Sequence, residues 1–140
     1  MINQVQLRQP GTDTVIDLTT HLVTHYWMSK PNMKERDWLS LMDKLIRDDF
    51  RVEGYVIEDG VLLSVHIANP AVDPHYGNIS VPVIDWVRPT FRGNVELLRQ
   101  HHSLRRQCAC RLQADGYLTV KHVNPTTQLQ RVRYFPWAKS

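Results

Sequence analysis

Between Trp38 and Leu63 the apolar residues change their spacing, and that change limits the folds open to this chain. Trp38, Leu41, Met42, Leu45 and Ile46 follow an i, i+3, i+4, i+7, i+8 order, which gathers them into one stripe of a helix. From Arg51 the period drops to about two. Tyr55-Val56-Ile57-Glu58-Asp59-Gly60-Val61-Leu62-Leu63 then reads as two strand arms around a tight turn, because Asp-Gly supplies the positive φ such turns need. A helix that runs into an antiparallel hairpin requires an α+β fold with a sheet for the helix to cover.

The remaining segments fit that frame. Ile2 to Leu7 is a strand closed by Pro10-Gly11, and Thr12 or Asp13 caps a helix carried by Val15, Ile16, Leu18, Leu22, Val23 and Tyr26. Residues 29–32 break it, and the second helix spans about residues 33–49. The second hairpin arm continues to Ile67, and Asn69 to Asn78, with two prolines, reads as a loop. Ile79 to Val87 is a strand in which Pro82 signals a bulge or an unpaired edge. Asn94 to Leu112 is a third helix, with Leu97, His101, Leu104, Cys108 and Leu112 on one face and Arg99, Arg105 and Arg106 off it. After Asp115-Gly116, Tyr117 to Val123 and Gln128 to Phe135 are strands around an Asn124 to Thr127 turn. In the last strand the alternation turns Val132 and Tyr134 inward and Arg131 and Arg133 outward. The order β-α-α-β-β-β-α-β-β describes one domain, residues 1–140, with a central twisted sheet of mixed and antiparallel pairing and about three helices.

Composition excludes several functions. No apolar run is long enough to span a bilayer, so a soluble protein of the cytoplasm is expected. Cys108 and Cys110 point in different directions on a helix, which speaks against a mutual disulfide, and no Cys or His pair has zinc-site spacing; no metal is expected. Trp38 belongs to a helix's apolar stripe, whereas Trp137, beside a basic terminus, suits a surface contact. Charge is unevenly placed: Met1 to Val87 carries 7 Lys or Arg against 12 Asp or Glu, and Arg88 to Ser140 carries 10 against 2. A basic half fits an acidic partner protein, an anionic cofactor or, less well, nucleic acid.

The segment Val87-Arg88-Pro89-Thr90-Phe91-Arg92-Gly93 leads a strand into a helix through a glycine turn, exposing unpaired amides and the positive end of a helix dipole. This run resembles the V-x-P-x-x-R-G segment of the GNAT superfamily of acyl-CoA-dependent N-acetyltransferases, and the order of elements resembles that family over nearly the whole chain. Asn124 looks like the family's Asn in its second motif. The resemblance implies acetyl-CoA held by Val87, Arg88, Arg92, Gly93, Asn94 and Val95. It implies Asp85 as base and Tyr134, the only Tyr downstream of Asn124, as acid.

The family's cofactor loop has the form Q/R-x-x-G-x-G/A, but here Arg92-Gly93-Asn94-Val95-Glu96 lacks the second glycine, is about two residues shorter, and carries an acid in the first helical turn. A compact member with a degenerate loop, ending in a strand instead of the Tyr helix, resembles GNAT-like proteins of tailed bacteriophages. That reading implies a non-catalytic virion-associated or assembly protein with no cofactor. It would bind protein partners through Arg131, Arg133, Trp137 and Lys139, in the host cytoplasm or the virion and away from membranes. The alternative is an acetyl-CoA-dependent N-acetyltransferase acting on an amine.

Overall fold

A computed structural model describes residues 1–14, 34–124 and 127–136. Among the described residues six strands form one sheet in sequential order: β1 (Ile2–Arg8), β2 (Arg51–Glu58), β3 (Val61–Asp73), β4 (Gly77–Val87), β5 (Gly116–Asn124) and β6 (Thr127–Tyr134). Helix α1 (Glu35–Arg47) precedes β2, and helix α2 (Val95–Arg111) joins β4 to β5. All pairs are antiparallel except β4 with β5, which the intervening helix makes parallel. This is the α+β architecture with a mixed sheet read from the sequence. The helix expected over residues 15–26 lies outside the described residues.

Turn chemistry sets the register. Asp59 and Gly60 adopt φ of 51° and 77°, the two positive values a tight hairpin between β2 and β3 needs. The loop expected from Asn69 to Asn78 is corrected: β3 continues to Asp73 and β4 begins at Gly77, so only three residues turn the chain. Pro70 is tolerated because β2 stops pairing at Val52 opposite Ala68, which leaves Pro70 with a strand on one side only. Pro82 does mark a bulge: Ile67 faces Ile84 and Ala68 faces Pro82, so Val83 is the extra residue of β4.

Each sheet face carries its own core. On one, Trp38 and Ile46 of α1 meet Tyr55, Val65, Ile67, Ile84 and Trp86. Leu41 and Leu45 were expected in that stripe, but they are 42% and 43% exposed; among the described residues of the helix, Trp38, Met42 and Ile46 reach the core. On the other face, Leu97, Leu104 and Cys108 of α2 pack against Val52, Val56, Leu63 and Ala68. Gly54 permits the close approach, since a Cβ there would lie 2.7 Å from Cys108 Sγ and 2.9 Å from Leu104. Cys108 is buried, which pushes its thiol up to about 12, while Cys110 faces out.

Arg51 is fully buried, which its sequence context did not signal. Its Nε donates to Glu53 at 2.9 Å and one terminal nitrogen, Nη2, to the carbonyls of Thr12 and Asp13 at 2.7 and 3.0 Å; Glu53 also accepts from the Thr14 hydroxyl. The guanidinium thereby pins the segment after β1 to the start of β2.

Candidate active site

The functional geometry starts where β4 and β5 part. They pair only at Ile79 with Gly116 and Ser80 with Tyr117, after which β4 runs on to Val87 and β5 to Asn124 without touching as a ladder. The edge of β4 from Val81 onward therefore presents main-chain groups to a gap instead of to a strand. Burial follows the separation: Tyr117 and Leu118 are buried, Thr119 and Val120 half-buried, Lys121 and Val123 exposed. The bulge at Val83 sits within the parted stretch and bends β4 there.

The strand-to-helix junction lies at the open end of this gap. Arg88 donates its backbone N–H to Leu63 and its Nε to the Leu62 carbonyl, and its guanidinium stacks 5.4 Å from the Trp86 ring. Arg92 Nε reaches back to the Val87 carbonyl at 3.1 Å. Asn94 caps α2: its side chain accepts from the Leu97 amide at 3.0 Å, and its carbonyl accepts from Leu98. The amides of Val95 and Glu96, in the first turn, have no partner among the described residues. Gly93 is exposed, with open space where a Cβ would be.

Asp85 lies on the same length of β4 and turns toward α2. Arg105 grips its Oδ2 with Nε at 2.9 Å and a terminal nitrogen at 2.6 Å. Its other oxygen accepts from His66 Nδ1, across the ladder at 3.3 Å, and from His101 Nε2. Burial would raise the Asp85 pKa, but the hydrogen bonds and charges of His101 and His66 hold it well below the usual 3.8. Burial lowers His101 below its ordinary 6.5 by more than Asp85 raises it. His66 Nε2 and His101 Nδ1 are buried with no partner among the described residues. A carboxylate held by four hydrogen bonds from three residues fixes α2 against β4, and taking a proton would cost it those bonds. His101 was visible in the sequence as the polar member of an apolar helix face; His66 carried no signal, because only the strand register brings it opposite Asp85.

Tyr134 is not with these residues. It pairs with Gly116, which pairs with Ile79, so it sits across the closed end of the β4/β5 pair. Ile79 lies about 26 Å from Val87 at roughly 3.3 Å per residue of strand. The inward turn expected for Val132 and Tyr134 is corrected: Val132 is half-buried and Tyr134 is 41% exposed, its ring near Tyr76. As the outer strand, β6 has little above it, and Phe135, one residue on, fills the core instead. Arg131 and Arg133 are exposed as expected, while Trp137 and Lys139 lie outside the described residues. The side chain of Asn124 does too.

The fold is shared with a protein of known structure. One solved structure with this architecture is AAC(6')-Iy in complex with the bisubstrate analogue CoA-S-monomethyl-acetylneamine. It matches at 13% identity over 84% of this chain and 78% of that one, with a TM-score of 0.50. A second, a predicted acetyltransferase with acetyl-CoA from Clostridium acetobutylicum, shows 15% identity over 79% and 76% of the two chains, with a TM-score of 0.49. No protein-family model matches the sequence, and no curated protein does. Among the described residues no helix is long and apolar enough to cross a membrane.

Proposed function

We propose that this chain is an acyl-CoA-dependent N-acyltransferase, with the acyl carrier lying along the free edge of β4. The observation that carries this reading is the parting of two parallel strands after two pairs, with a helix N-terminus at the mouth of the gap. Ligands of open α/β sheets favour such a place, outside the carboxyl ends of diverging strands. The carrier's pantetheine arm is an extended chain with two amides, and an unpaired strand edge can bond such a chain as it would another strand. The residues present fit the group: Val81 to Val87 would hold the arm, and the free amides of Val95 and Glu96, with Arg88 and Arg92 nearby, would hold the pyrophosphate. When bound, the carrier supplies a thioester whose acyl carbon an amine can attack. The chain's own part is to orient that arm and to keep α2 fixed beside it through Arg105 and Asp85.

A second reading keeps the fold for its surface alone. It is favoured by the cap at Asn94, which takes the Leu97 amide, and by Glu96, whose charge opposes a phosphate in the first turn. In that case the partner is a protein docking on Arg131 and Arg133, within a larger assembly such as a phage particle. AAC(6')-Iy, which shares the fold, holds a CoA bisubstrate analogue, and here the strands part where such a carrier would lie; for that reason we place the enzyme first.

Amide hydrogen exchange separates the two. Acetyl-CoA should slow exchange at Val95, Glu96 and the β4 segment from Val81 to Val87. Protection elsewhere only, or none, would remove the carrier from this gap.

A further inference from the structure

A second cavity lies away from the gap, under the flank of α2 where it crosses β5 and β6. Its volume is about 270 Å³, and its lining includes His102 and Arg106 of α2, Tyr117 of β5, and Arg133, Tyr134 and Phe135. The floor is aromatic and buried: Tyr117 and Phe135 are each 3% exposed, with ring centroids 6.0 Å apart. The rim is cationic. Arg106 lies over the Phe135 ring at 5.9 Å, and His102 meets the edge of Tyr117 at 6.4 Å. No carboxylate lines the cavity, and neither Arg106 nor Arg133 has an acidic partner among the described residues.

We infer that this cavity binds a phosphate group, gripped by Arg106 and Arg133 with His102 as a third donor. Two guanidiniums brought together from different elements repel each other, and a dianion relieves that repulsion while accepting from both forks. One carboxylate would neutralise only half of the charge. The cationic field is felt at His102 itself: partial burial, then Arg105, Arg133, Arg106 and His101, hold its pKa below the ordinary 6.5. Those groups, with Tyr117, whose ring the imidazole meets at its edge, are the ionisable groups set against His102 from α2, β5 and β6. The site is separate from the gap at Val95, because it lies at the closed end of the β4/β5 pair.

Isothermal titration of the intact chain with inorganic phosphate, at low salt and neutral pH, tests this. Saturable one-site binding is expected, and Arg106→Gln and Arg133→Gln should each weaken it by about tenfold or more, as for the loss of one charged hydrogen bond. Arg92→Gln, at the other end of the sheet, should leave it unchanged. In NMR, phosphate should raise the titration midpoint of His102, which a purely structural imidazole would not show. Phenyl phosphate binding more tightly than phosphate identifies an organic monoester that also covers the aromatic floor; equal binding identifies the free anion. No saturable binding, an affinity left unchanged by both Arg106→Gln and Arg133→Gln, or weakening by Arg92→Gln alone would overturn the assignment.

Discussion

Arg105 holds Asp85 through two hydrogen bonds to one carboxylate oxygen, and this pair ties helix α2 to the strand that borders the gap. The side chains are 27% and 20% exposed, so the pair is neither fully screened nor fully desolvated. Asp85→Asn removes the charge that Arg105, His66 and His101 all face. Leaving those donors unmatched should cost about 2 kcal/mol. Urea denaturation measures it; a loss within experimental error would show that the cluster does not hold the helix.

The same cluster makes stability depend on pH, and both groups act in one direction. His101 has a folded pKa below 6.5, so the unfolded chain takes up its proton first as pH falls, and stability declines from about 6.5 downward. Asp85 has a folded pKa well below 3.8, so its contribution is present above 3.8 and is lost as pH falls further through the folded value. Melting temperature should therefore fall between pH 7 and pH 5, and His101→Gln should flatten that slope. A melting temperature that rises on acidification over this range would contradict the assignment.

Gly54 is a packing position. The Cβ of Gly54→Ala would meet Cys108 Sγ at 2.7 Å and Leu104 at 2.9 Å, so α2 must lift, at a cost of about 1–3 kcal/mol. Adding Cys108→Ala removes the nearer atom and should recover part of the loss. An additive double variant would mean that the two sites are not in contact.

Tyr134 should not serve as the acid of an acyl transfer. Its register places it at the closed end of the β4/β5 pair, so Tyr134→Phe should leave turnover unchanged. A large drop in turnover with little change in KM would show that the thioester reaches further down the sheet than the gap implies.

The legible parts of this fold were those decided by local chemistry. Asp59-Gly60 declared its turn, Pro82 its bulge, and Leu97, Leu104 and Cys108 their shared helix face, because each signal lies within a few residues. Misreadings arose where tertiary position overrides pattern. Pro70 looked like a loop residue, but it lies just past the end of a neighbouring strand; Tyr134 alternates like a core residue, but its strand is the last in the sheet. The site was half visible. The junction from Arg88 to Val95 showed itself as a motif, whereas the partners of Asp85 come from β3 and α2, 19, 16 and 20 residues away, and no spacing rule connects them.

The central claim is that the head of α2 and the free edge of β4 receive an acyl carrier, and one substitution addresses it without disturbing the helix. Val95 is the first residue of α2 and is 61% exposed, and Asn94 before it already has the extended backbone, φ −81° and ψ 111°, that a following proline requires. Val95→Pro thus deletes one amide donor and leaves the fold intact. Acetyl-CoA should raise the melting temperature of the original chain by several degrees, since a hundredfold excess over Kd adds about 2.7 kcal/mol. The shift should shrink clearly in Val95→Pro, whose unliganded melting temperature is unchanged. No shift in the original chain, or an equal shift in both, would contradict the account.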